Sequence, residues 1–67
     1  MTESLGEMLP KEQARVRALL VDYKEIGAPG LIAATMMQLS LQNAENAVVS
    51  GDVARMIVAY RDLKEYQ

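Results

Sequence analysis

The chain has no cysteine, no histidine, no tryptophan and no phenylalanine, and only two prolines and four glycines in 67 residues. Each absence removes a class of explanation. Without cysteine there is no disulfide, and without cysteine and histidine nearly every structural zinc site is gone, because both thiolate and imidazole ligands are missing. The same two absences remove cysteine nucleophiles, histidine acid-base catalysis and every histidine-containing triad, leaving only carboxylate or lysine chemistry. The expectation is a non-enzymatic protein with no cofactor and no metal. Charge is missing too over one long stretch, since no charged residue lies between Ile26 and Ala44. Thr35, Gln38, Ser40, Gln42 and Asn43 interrupt that stretch, and Gly27, Pro29 and Gly30 break its start. Its apolar part falls short of the ~20 residues a spanning helix needs, so it predicts a buried helix and no membrane span.

What is present is aliphatic. The hydrophobic share is 51%, three tyrosines are the only aromatics, and the formal net charge is -2. Such a composition excludes a disordered chain. A domain of this size buries only about 60% of the surface its unfolded form exposes, so its core is marginal and association is the remaining common supplement. The opening run MTESLGEMLP carries two glutamates and no basic side chain. It lacks the positive region of a secretory signal, and a cytoplasmic location is expected.

Apolar residues recur at helical spacing throughout, which predicts an all-α fold of three helices over about 10–26, 29–50 and 52–66. Residues 1–9 are expected to form an arm or a short turn, with Ser4 and Glu7 at capping-box spacing, ahead of a single helical domain over 10–67. Pro10 suits the first position of a helix, where its missing N–H costs nothing. Val16, Leu19, Leu20, Tyr23 and Ile26 then form one apolar stripe. Gly27 is a C-terminal stop, and Pro29 restarts a helix. Gly51 ends the second helix, and Asp52 is a strong N-cap for the third, whose stripe is Val53, Met56, Ile57, Tyr60 and Leu63.

The second helix has more than one apolar face. Ile32, Met36 and Leu39 form one ridge, and Met37, Leu41 and Val48 a second, with small residues Ala33, Ser40 and Ala47, and Ala44 beside them, in a seam between. Two neighbouring helices could cover both ridges, giving an up-down-up bundle with the second helix in the middle. The apolar surplus also predicts self-association as a dimer, carried by Met36, Met37, Leu41 and Val48. Methionines 36, 37 and 56 suit either an adaptable partner surface or intramolecular packing.

Other constellations are weaker. The pairs Asp22 with Glu25 and Asp62 with Glu65 are read as solvated faces rather than cation sites, and Tyr23 and Tyr60 as edge-of-core tyrosines. Residues 44–63 resemble one tetratricopeptide unit through Ala44, Gly51, Asp52 and Tyr60, although Met56 stands where that family prefers alanine and no second copy exists. A plain capped helical hairpin accounts for the same residues. Ala47, Gly51 and Ile57 have the spacing of a helix-turn-helix, but Asp52, Arg55, Arg61, Asp62, Lys64 and Glu65 cancel in charge on its reading helix. That balance argues against nucleic acid.

The run LPKEQARVRALL, the turn EIGAPG, the segment AATMM and the closing SGDVARMIVAYRDLKEY resemble the small helical proteins of temperate phages and prophages of Gram-negative bacteria. The resemblance implies a phage origin and the host cytoplasm, and assigns no functional residue. It adds a host protein as a possible partner, in the form of an inhibitor of a host enzyme or defence complex.

Overall fold

The computed structural model describes residues 4–67. Three helices make up the fold: α1 (Leu5–Ile26), α2 (Ala28–Ser50) and α3 (Val53–Lys64). The connections are as short as the glycines predicted. A single residue, Gly27, links α1 to α2 with φ 93 and ψ -148, and its N–H donates to the Lys24 carbonyl at 3.2 Å. Positive φ of this size is open to glycine at no steric cost. Gly51 ends α2 in the left-handed region, donating to the carbonyls of Ala47 and Val48. Asp52 then caps α3, its Oδ1 accepting from the Arg55 N–H at 3.2 Å.

Helix α1 starts five residues before the expected Pro10. Ser4 is its N-cap in an extended conformation, and its backbone carbonyl accepts from Glu7 and Met8 at 3.0 and 2.9 Å. The Ser4 hydroxyl makes no capping bond, so the capping box is not formed by side chains. Pro10 therefore sits inside the helix, where it leaves the Gly6 carbonyl without its usual donor. Burial offsets that loss: Leu9 is fully buried, and Leu5 and Met8 are half-buried. Of the expected arm, residues 1–3 lie outside the described residues. Helix α3 stops at Lys64, two residues short of the expected end.

The arrangement is up-down-up. Residues 43–47 of α2 face 54–62 of α3 across a groove, and the Ser40 and Tyr66 hydroxyls are 2.8 Å apart, so α2 and α3 run antiparallel. Near the other turn Gly30 lies against the backbone of Tyr23, so close that a Cβ would strike the Tyr23 carbonyl. Arg15 and Tyr23 of α1 reach residues 63–67 beyond and within the end of α3, so α1 and α3 run parallel.

All three helices pack on one another, and this corrects the expectation that α2 lies between its neighbours. Both α1 and α3 sit on the same side of α2. The core holds Leu9 and Val16 from α1, Met37, Leu41, Ala44 and Ala47 from α2, and Ala59 and Leu63 from α3, with Leu19, Leu20, Tyr23, Met56, Tyr60 and Tyr66 packed around them. Small residues set the geometry, because Gly30, Ala34, Ser40, Ala44 and Ala47 let two helices approach α2 closely. The expected stripes are rotated in part. Ile26 ends outside on α1, and the core face of α3 runs through Ala59 and Leu63, leaving Val53 and Ile57 exposed.

Candidate interaction surfaces

The outward side of α2 carries an apolar surface built from consecutive turns of one helix. Leu31, Ile32, Met36 and Leu39 are each more than half exposed, with Ile32 at 75%. They recur at spacings of one, three and four, the spacing of one helical face. Thr35 lies among them, yet its hydroxyl donates back to the Leu31 carbonyl at 2.8 Å. Such a bond satisfies the side-chain donor within the helix, so the residue adds no unmet hydrogen-bond donor to the face. Leu31, Ile32, Thr35 and Met36 enclose a shallow, open depression. Beyond Leu39 the exposed outward positions include Gln42, Asn43 and Asn46, followed by Val49, which is 81% exposed.

The four residues expected to carry self-association are thus divided. Met36 is 54% exposed on the outward face. Met37 and Leu41 are buried in the core of the chain itself and offer no surface to a partner, which corrects their assignment to an interface. The reason is steric: the small-residue seam beside them admits α1 and α3, so this ridge is the one covered. Val48, in the last turn of α2, is 44% exposed beyond the reach of that packing.

A second surface is the open groove between α2 and α3, lined by Asn43, Asn46, Ala47, Ala54, Arg55, Val58, Ala59 and Asp62. Its floor is alanine, and its rims carry one arginine, one aspartate and two amides. Ile57, which a helix-turn-helix would need in its core, is 40% exposed. Arg55 pairs with Asp52 at 3.7 Å, a neutralised pair at the start of the helix that would read DNA.

Polar side chains elsewhere are used for assembly. Arg15 donates to the Leu63 and Tyr66 carbonyls at 2.9 and 2.8 Å, closing the last turn of α3, while Glu12 holds its guanidinium at 2.9 Å. The Tyr23 hydroxyl donates to the Gln67 carbonyl at 2.8 Å, and Lys64 lies 5.1 Å from the centre of the Tyr60 ring. Sequence reasoning missed this clasp because its acceptors are backbone carbonyls, which carry no residue signature. The one available signal was Glu12 and Arg15 three apart on a helix, and that spacing is also common on solvated faces. Asp22 and Glu25 are exposed, and no group of three or more acidic residues suited to a metal exists among the described residues. No helix among the described residues is long and apolar enough to cross a membrane.

Fold and surface together define a small three-helix bundle whose middle helix in sequence is apolar on its outward side. Comparison with known protein families, with curated proteins and with solved structures finds no match to the chain.

Proposed function

We propose that this chain is a non-enzymatic protein that works by protein–protein contact, and that it associates with itself through the outward face of α2. One observation carries the reading: Leu31, Ile32, Met36 and Leu39 stand exposed together on the helix side opposite the core. Side chains of this size, more than half exposed, present on the order of 400 Å² of apolar surface, the scale at which a patch on a small protein marks an interaction site. The residue inventory supports the non-enzymatic part, since it holds neither histidine nor cysteine. Burying each of these side chains in a partner contributes up to about 1.5–3 kcal/mol, the supplement that a 67-residue core lacks.

Sedimentation velocity over a rising concentration series tests this. The expected result is a reversible monomer–dimer equilibrium that Met36→Glu abolishes while far-UV circular dichroism keeps its helical signal. A monomer at every concentration up to the high micromolar range overturns the self-association reading. Loss of helicity in Met36→Glu would instead make this residue part of the core.

A further inference from the structure

We propose that the Met36 thioether is a reversible oxidation site, and that its sulfoxide turns the outward face of α2 from apolar to polar while the bundle stays folded. The co-reactant is a peroxide. With no cysteine in the chain, methionine is its only sulfur side chain, so a two-electron oxidant that would elsewhere meet a thiol meets a thioether. Exposure then selects among the thioethers. Met36 is 54% exposed, Met37 beside it is 1% exposed, and Met8 and Met56 are half-buried. Among the described methionines, Met36 alone stands in the open.

In the reaction a sulfur lone pair attacks one peroxide oxygen, and the S–O bond forms as the O–O bond breaks. The thioether loses two electrons, and the second oxygen takes them and leaves, protonated, as water. Reductases specific for each sulfoxide epimer reverse the change, a dithiol supplying the electrons and the oxygen departing as water. Met37 cannot react until the core opens around it, so its rate follows the small fraction of chains that are open.

The surroundings of Met36 decide what the added oxygen does. Sulfoxide oxygen is a hydrogen-bond acceptor on a strong dipole, and burying such a group without a donor is unfavourable. Leu31, Ile32 and Leu39 have no side-chain donor, and Thr35 spends its hydroxyl on the Leu31 carbonyl at 2.8 Å. The backbone N–H groups of Thr35 and Met36 are held inside α2. Met36 lies one turn from Ile32 and one from Leu39, in the wall of the shallow depression. Oxidised, it therefore keeps the middle of the face in water. At Met37 the same oxygen would sit in the core and cost the fold. The change of polarity stands on exposure and on the missing donors, and its effect on assembly rests on the self-association reading.

A time course of the whole chain in dilute hydrogen peroxide near neutral pH tests the site. Cleavage after Lys24 and Arg55 puts Met36 and Met37 on one peptide, and fragmentation between them in the mass spectrometer assigns the oxygen. Met36 is expected to oxidise at least about tenfold faster than Met37, and ahead of Met8 and Met56, with far-UV circular dichroism unchanged. The chain oxidised at Met36 is expected to elute earlier from a hydrophobic-interaction column, and sulfoxide reductases with dithiothreitol to restore its retention. Met36→Leu, treated for the same time, should show no such shift relative to its own untreated sample. Equal rates at Met36 and Met37, or faster reaction at Met8 or Met56, overturn the site. A Met36 sulfoxide whose retention is unchanged overturns the switch. In sedimentation, self-association of the oxidised chain is expected to weaken at least about tenfold. Undiminished dimer after oxidation overturns the switch and leaves self-association standing. A wild type that stays monomeric removes the self-association reading, and the column shift alone then decides the switch.

Discussion

The two sides of α2 differ in the opposite sense from a simple inside–outside rule. The side against α1 and α3 is built largely of Gly30, Ala34, Ser40, Ala44 and Ala47, with Met37 and Leu41 as its only large side chains. The side away from them carries Leu31, Ile32, Met36 and Leu39. Bulk is outside and smallness inside. In a chain this short, close approach of three backbones brings many contacts per residue, and packing small side chains achieves it where large ones would hold the helices apart.

The adjacent methionines give the widest contrast. Met37→Ala is expected to destabilise the monomer by about 2–5 kcal/mol, enough to unfold much of it, whereas Met36→Ala should change it by less than ~0.5 kcal/mol. Chemical denaturation at low micromolar concentration checks both, and equal effects would erase the distinction between the two sides. Gly30→Ala comes next. Its new methyl group would collide with the Tyr23 carbonyl and press on the Ile26 Cβ, and neither can move without separating α1 from α2. A loss of about 1–3 kcal/mol is expected from such overpacking, and an unchanged melting midpoint would show that the helix ends can part freely. Arg15→Ala removes the donors to the Leu63 and Tyr66 carbonyls that keep α3 on the inner side. About 1–2 kcal/mol should go with them, with hydrogen exchange accelerated at the last turn of α3 ahead of the rest. The smallest effect belongs to Asp52→Ala, which sits on neither side: loss of its cap should cost about 0.5–1 kcal/mol and leave dimerisation as it is.

The turns and helix count were legible in the sequence because each rests on a residue with one strong local preference. Gly27, Gly51 and Asp52 stand where such residues are expected, and Pro29 lies in the first turn of α2. The small-residue seam was legible as a place of close approach. Hidden was which ridge beside it would be covered: Met37 with Leu41 and Ile32 with Met36 are equally apolar, and only the docking of α1 and α3 on one side separates them. Pro10 misled for a related reason, since its preference for a first turn was outweighed by the tertiary burial of Leu9. Gln13, also buried, lies on the same line between Leu9 and Val16, where a polar residue breaks the pattern that a hydrophobic count follows.

The one-residue link at Gly27 and the distant clasp of Arg15 also set an order in time. Helices α1 and α2 meet across a single residue, so their pairing closes almost no loop, while Arg15 reaches acceptors 48 and 51 positions away. Local contacts are the cheapest to form early, and the α1–α2 hairpin should therefore be in place at the rate-limiting barrier with α3 still loose. On that ordering the clasp governs departure rather than arrival: Arg15→Ala should speed unfolding in stopped-flow kinetics while the refolding arm hardly moves.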